Sequence, residues 1–201
     1  DKALGTAHAI MCAKDAIKGK TVVAFADTLF KADFVMDTEK EGVIWVQKID
    51  DPSQFGVVKL DTHGQITDFV EKPTTFVSDL AIIGIYYFRD GQNLCNELQY
   101  LIDNDIREKG EYQITNALEN MKGKGLRFAP GQVKEWLDCG NRQATVDTHK
   151  RWLELFPKEA LMPDASAQIT DSLIIQPCFI GKGVKISSSV IGPFVSIADN
   201  T

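Results

Sequence analysis

The chain has 201 residues, of which 44% are apolar and 25% charged; this is the balance of a folded globular protein and argues against a disordered one. A net charge of −6 with no cluster of Lys or Arg makes the chain a poor candidate for nucleic-acid binding through phosphate contacts, and no apolar run approaches the ~18 residues of a membrane helix. The opening Asp1-Lys2-Ala3-Leu4-Gly5 has no signal-peptide pattern and no initiating Met precedes it, so a fragment or processed piece is expected. Cys12, Cys95, Cys139 and Cys178 form no C-x-x-C pair, which disfavours zinc or a disulfide framework and fits a reducing cytoplasm.

Along residues 6–18, Ala7, Ile10, Met11 and Ile17 repeat at helical spacing, with Thr6 as N-cap and Gly19 as stop. The run at 21–27, TVVAFAD, reads as a buried parallel strand ending in a carboxylate. A helix is expected over 29–39 and a strand over 42–49. Strands at 55–60 and 66–70 flank Asp61-Thr62-His63-Gly64-Gln65, which predicts a hairpin. Another buried strand covers 79–88. Gly84 in its middle implies close approach of a ligand or another backbone. Leu94, Leu98, Leu101, Ile102 and Ile106 mark a helix over 93–109. A shorter helix at 114–122 follows, then strands near 126–129 and 132–137 and a helix at 141–156. Alternating strands and helices make the class α/β.

Beyond Pro157 and Pro163 the pattern changes. Ile174, Ile180 and Ile186 recur every six residues, and after a five-residue step Ile191 and Ile197 repeat the interval. With Ile180-Gly181-Lys182-Gly183-Val184 and Ile191-Gly192-Pro193-Phe194-Val195, this predicts a hexapeptide-repeat β-helix rather than chance edge strands. Roughly two coils fit before Thr201, at three hexads per turn.

Three strand ends carry candidate chemistry. Asp27 lies where an open parallel sheet binds ligands, although a helix N-cap explains one such Asp equally well. Glu71-Lys72-Pro73 offers an acceptor beside a cation, suited to a hydroxyl-rich phosphorylated compound, or else is a solvated strand end. Trp136-Leu137-Asp138-Cys139-Gly140 places a second carboxylate beyond a strand. Two such carboxylates suit Mg²⁺, which takes one or two of them plus substrate phosphates.

In order along the chain stand Leu4-Gly5-Thr6-Ala7, Phe25-Ala26-Asp27, Phe55-Gly56-Val57-Val58, Glu71-Lys72-Pro73, Gly84-Ile85-Tyr86, Glu111-Tyr112-Gln113-Ile114-Thr115 and Trp136-Leu137-Asp138-Cys139-Gly140. This series resembles the ordered motifs of the sugar-1-phosphate nucleotidyltransferases, the nucleoside-diphosphate-sugar pyrophosphorylases. The resemblance covers nearly the whole chain, its hexapeptides being similar to the left-handed β-helix that many members carry. It implies a Rossmann-like nucleotide-diphospho-sugar transferase fold over residues 1–157, N-terminally incomplete, and the start of a left-handed parallel β-helix over 164–201.

The implied reaction joins a sugar 1-phosphate to the α-phosphorus of a nucleoside triphosphate and releases pyrophosphate, with Mg²⁺. Asp27 and Asp138 would hold the metal, Lys72 the sugar phosphate and Glu71 the sugar hydroxyls. Gly56 would let the backbone approach the ring, Gly84 and Tyr86 would line the pocket with Trp136, and Leu4 and Gly5 would pack near the base with Thr6 beside them. The family's G-x-G-x-R loop and its Pro-Lys-Pro segment are not in this sequence, so the chain alone is expected to be inactive or weak. Thr28 stands where Asn is common, Phe55 where Tyr is frequent, and His8 reads as an exposed first-turn residue. A homo-oligomer is expected. The alternatives are a non-catalytic regulatory or assembly subunit of the same fold and a hexapeptide acyltransferase, the latter disfavoured because His8, His63 and His149 all precede the repeat.

Overall fold

The computed structural model describes residues 3–33 and 35–201. The chain falls into two compact units, Asp1–Trp136 and Leu137–Thr201. Among the described residues no helix is long and apolar enough to cross a membrane.

The first unit is built on β6 (Leu80–Phe88). Its apolar run is buried on both faces, as expected of a central strand. Along one edge it pairs antiparallel with β3 (Gly42–Lys48), which in turn pairs parallel with β7 (Phe128–Gln132). Its other edge is shared. β4 (Gly56–Leu60) meets it at Val57 opposite Ala81, and β1 (Thr21–Ala24) pairs antiparallel from Thr21↔Phe88 to Ala24↔Ile85. The expected hairpin is present: β5 (Ile66–Glu71) lies antiparallel to β4. Asp61 closes its turn by accepting from the N–H groups of His63 (2.8 Å) and Gln65 (2.9 Å).

Alternation along the strands divides the sheet residues between two apolar clusters. Ile44, Val46, Ile82, Tyr86 and Phe88 join one cluster with residues of three helices: Ala7 and Ile10 of α1 (Thr6–Met11), Leu94, Leu98 and Leu101 of α2 (Gly91–Asp103), and Leu118 and Met121 of α3 (Ile114–Gly123). Val43, Trp45, Ile83, Ile85 and Tyr87 form the second cluster, with Met36, Val133 and Trp136 packed on it.

Four sequence expectations need correction. The helix over 29–39 is absent among the described residues: β2 (Thr28–Lys31) is a strand. Thr, Leu and Phe in succession suit an extended backbone, and the N-cap alternative for Asp27 falls with that helix. The 21–27 strand is shorter, antiparallel and half-exposed, with Val22 outside the core. The helix over 6–18 ends at Met11, followed by a 3₁₀ turn at Lys14–Ala16. Its N-cap is Gly5, at φ 101°. Helix α2 starts and ends earlier than expected. Asp90 caps it through the N–H groups of Gln92 and Asn93, and Gly91 is required because a Cβ there would meet Thr21 Oγ1 at 2.3 Å.

β8 (Glu135–Asp138) carries the chain into the second unit. Helix α4 (Arg142–Leu155) follows, capped by Asn141, whose side chain accepts from the Ala144 N–H. Six short strands come next: β9 (Gln168–Thr170), β10 (Leu173–Ile174), β11 (Cys178–Ile180), β12 (Lys185–Ser187), β13 (Val190–Ile191) and β14 (Val195–Ile197). They pair in parallel as β9 with β12, β10 with β13 and β11 with β14. In each ladder the partners lie 17 residues apart, as in Ile169↔Ile186, Ile174↔Ile191 and Ile180↔Ile197. This is the start of a parallel β-helix, with Ile169, Ile174, Ile191 and Ile197 packed against Ile180, Val184 and Ile186 in its interior. The five-residue step in the sequence is why a coil takes 17 residues and not 18.

Candidate active site

Glu71, the last residue of β5, lies opposite Gly56, the first of β4. Thr115 in the first turn of α3 donates its hydroxyl to Glu71 Oε2 at 2.9 Å. A Cβ on Gly56 would stand 2.9 Å from Thr115 Cγ2 and 3.1 Å from Glu71 Oε2, so the missing side chain is what lets these groups converge. Burial pushes the Glu71 carboxyl above its ordinary range, against the Thr115 hydrogen bond and the charges of Lys72 and Lys109. Beside it opens a cavity of about 170 Å³, lined also by Thr115, Asn116 and Glu108. The buried Oδ1 of Asn116 has no hydrogen-bond partner among the described residues.

Lys72 follows with a left-handed backbone, φ 41°, uncommon for a residue with a side chain. Its N–H donates to the Phe55 carbonyl at 3.0 Å, and its own carbonyl accepts from Lys109 Nζ. Phe55 in turn meets Trp136 edge-on at 5.1 Å. The indole N–H of Trp136 is buried without a partner among the described residues.

The Leu4-Gly5-Thr6 segment is fixed against residues 112–114. The Leu4 carbonyl accepts from Tyr112 N–H (2.8 Å), and Ala7 N–H donates to the Tyr112 carbonyl (2.9 Å). Gly5 crosses so closely that a Cβ would lie 2.5 Å from the Tyr112 oxygen. Thr6, read from the sequence as the cap of its own helix, instead serves α3: its hydroxyl donates to Gln113 Oε1 at 3.1 Å and accepts from the Ile114 N–H at 3.0 Å. His8, expected exposed, is half-buried.

Gly84 sits at φ 79°, and the space a side chain would take is filled by Phe25 and Thr28. The close approach there comes from side chains of this chain. The Thr28 hydroxyl donates to the Ile83 carbonyl at 2.9 Å. Tyr86 is buried beside Phe25, rings 5.5 Å apart. Burial, reinforced by the charges of Glu71 and Asp27, pushes its phenol far above the ordinary range.

Asp27 is exposed in the turn between β1 and β2. Asp138 is the second residue of the second unit; its carbonyl accepts from Thr148 Oγ1 (2.6 Å) and its Oδ1 from the Gly140 N–H (3.0 Å). Among the described residues its other carboxylate oxygen accepts no hydrogen bond, and carboxylate oxygens are hard donors of the kind Mg²⁺ takes. Among the described residues no group of three or more His, Cys, Asp or Glu is clustered to hold a metal. The first unit thus brings together Gly56, Glu71 and Lys72, and separately ties Leu4, Gly5 and Thr6 to the start of α3. Thr115 and Lys109 were not singled out from the sequence. Thr115 lies inside the Glu111–Thr115 motif, whereas nothing local marks Lys109.

The fold defines a mixed α/β class, and similarity to known proteins narrows it to a family. The profile of the Nucleotidyl transferase family matches residues 1–154; the chain belongs to that family. It is 30% identical to a glucose-1-phosphate thymidylyltransferase of Streptomyces antibioticus over 98% of this chain and 60% of that protein. With the bifunctional protein GlmU of Methanococcus vannielii it shares 28% identity over 88% of this chain and 43% of that one. The chain therefore spans about two-fifths to three-fifths of the length of these relatives. Among solved structures, a glucose-1-phosphate thymidylyltransferase from Bacillus anthracis superposes with a TM-score of 0.59 at 23% identity, over 74% of this chain and 61% of that one. A nucleoside-diphosphate-sugar pyrophosphorylase from Vibrio cholerae gives 0.62 at 19%, over 74% and 66%. At these identities the two structures speak for the fold.

Proposed function

We propose that this chain supplies the sugar-phosphate side of a magnesium-dependent nucleotidyl transfer. A phosphate oxygen of a sugar 1-phosphate forms a bond to the α-phosphorus of a nucleoside triphosphate, and the bond to pyrophosphate breaks. The supporting observation is the Gly56–Glu71–Thr115 cluster with Lys72 beside it, in a chain of this family. Glu71 accepts hydrogen bonds from sugar hydroxyls, the bare backbone of Gly56 admits the ring, and Lys72 neutralises the phosphate. Gly84 and Tyr86 complete the wall, with Trp136 beyond Phe55. Leu4 and Gly5 pack near the base, held by Thr6. The nucleophile is an ionised phosphate, so no general base is needed, and rate comes from positioning and charge neutralisation. Asp27 and Asp138 would hold Mg²⁺, which neutralises charge on the phosphates when bound.

In this reading residues 1–157 form the transferase module and 164–201 a hexapeptide β-helix that supports a homo-oligomer, and the cysteine pattern favours the cytoplasm. The test uses this chain within a polypeptide of its relatives' length. Pyrophosphate release from a panel of triphosphates and sugar 1-phosphates is expected to require Mg²⁺, to stop with EDTA, and to fall at least a hundredfold in Asp27→Asn and in Glu71→Gln. No release with any pair, or full function in Asp27→Asn and Asp138→Asn, overturns the catalytic reading in favour of a regulatory subunit.

A further inference from the structure

Helix α2 ends in an arrangement that normally carries glycine. Asp105 N–H donates to the Ile102 carbonyl (3.2 Å) and Ile106 N–H to the Leu101 carbonyl (2.9 Å). This is the paired bonding of a Schellman motif, whose left-handed residue is usually glycine because it has no Cβ. Here that residue is Asp105, at φ 49°. Four residues later Lys109 (φ 52°) and Gly110 (φ 86°) are left-handed as well. Such a turn holds only where its surroundings over-determine it.

The holding contacts come from three side chains. Asp105 Oδ1 accepts from Arg107 Nε and from the Tyr112 hydroxyl, each at 2.6 Å. An Arg107 terminal nitrogen donates to the Tyr112 hydroxyl at 2.8 Å, and the guanidinium lies 4.3 Å from the centre of the Tyr112 ring. Every pair in the triangle is bonded. The hydrogen bonds from Tyr112 and Arg107 hold the Asp105 carboxyl below its usual range, so the anchor stays charged at neutral pH. What the turn carries gives the triangle its consequence. Lys109 reaches the Lys72 carbonyl, and the Tyr112 backbone bonds Leu4 and Ala7.

We propose that Asp105, Arg107 and Tyr112 are positioning residues: they lock the α2–α3 connection in the one shape that fixes both the Glu71–Lys72 strand end and the Leu4–Ala7 segment. The role of those two segments in ligand binding rests on the function proposed above; the clamp itself does not. The aspartate at this glycine-favouring position then acts through its carboxylate and not through its backbone.

The substitution Asp105→Gly separates the two, because it relieves the left-handed backbone while removing the anchor. In this 201-residue chain, the melting temperature is expected to hold or rise. Amide exchange in peptides covering 4–7 and 71–74 should quicken about ten-fold, with Asp105→Asn, which keeps one acceptor, in between. Unchanged exchange in both peptides refutes the clamp. Titration with glucose 1-phosphate supplies the second readout. Affinity is expected to fall about ten-fold in Asp105→Gly, and much less when Lys109→Ala is already present, since the effect travels through that tether. Wild-type affinity in Asp105→Gly refutes the positioning role. Exchange that quickens in Asp105→Gly, where the wild-type chain binds no sugar 1-phosphate, upholds the clamp and overturns the proposed function.

Discussion

Replacing Thr6 by valine keeps the side chain's shape and removes one hydroxyl. That hydroxyl donates to Gln113 Oε1 and accepts from the N–H of Ile114. Ile114 is the first residue of α3 and is 3% exposed, so its N–H belongs to the set that finds no acceptor within the helix. Gln113, at the N-cap, makes no capping bond with its own side chain. Valine therefore leaves a buried donor unpaired, at about 1–3 kcal/mol, and loses a hydrogen bond to Gln113 worth about 1 kcal/mol. Because both bonds share one oxygen they do not simply add, and about 2–3 kcal/mol is expected. At a urea slope of about 2 kcal/mol/M the unfolding midpoint falls by about 1–1.5 M. Thr6→Ser keeps the hydroxyl and loses one methyl, at most about 1 kcal/mol. Urea unfolding of the three chains, followed by tryptophan fluorescence, checks the order. A valine midpoint equal to wild type, or a serine chain as weak as the valine one, would show that Thr6 does not cap α3.

Glu71 yields a pH prediction. Its raised pKa means that the folded chain binds this proton more tightly than the unfolded chain does. Its stabilising effect is greatest below the unfolded value near 4.5 and is lost as pH rises through the folded value. Thr115→Val removes a hydrogen bond that opposes the shift, so the carboxyl should titrate still higher; a carbon-13 NMR titration that moved downward would contradict this. In the second unit, Gly192 has φ 102°, and a Cβ there would lie 2.1 Å from the Ile175 oxygen. Gly192→Ala should therefore separate the coils at β10 and β13 and lower the melting point of that unit. Gly64→Ala, with a positive φ but open space around it, should cost only the backbone strain of about 1–2 kcal/mol. Equal losses from the two alanines would remove the steric argument.

What was legible in the sequence was what depends on near neighbours or on a fixed period. The hairpin announced itself through Asp61 and Gly64 between two β-rich runs. The isoleucine spacing foretold the parallel ladders, including the short step that sets the coil length. Strand β6 was evident because an apolar run of that length suits the middle of a sheet. Errors arose where distant partners decide. β1 reads as buried on composition alone, but the antiparallel contact with β6 leaves Val22 facing outward. Residues 29–39 carry enough apolar side chains for a helix, but β2 is extended there, with Thr28 fastened to Ile83. At the site, Glu71 and Lys72 could be picked out because a carboxylate and an amine at a strand end are visible chemistry. Thr115 and Lys109 come from α3 and its preceding turn, more than thirty positions away, and no local pattern reports such a meeting. Thr6 was found for the wrong reason: a hydroxyl at a helix start looks like that helix's cap, and nothing in six residues tells that it serves another.

The constant offset of 17 residues turns the β-helix into a coordinate system. Adding 17 to a residue number moves it to the same face one layer further on, by the ~4.8 Å that separates neighbouring strands. Ile169, Ile174 and Ile180 thus mark three directions about one axis, and Ile186, Ile191 and Ile197 repeat them a layer away. A single inserted or deleted residue would put every later side chain out of phase, turning interior isoleucines toward water, unless the coil expelled the difference as a corner bulge. Tolerance to length change in this unit is therefore set by its corners, where the glycines lie, and hardly at all by its flat faces.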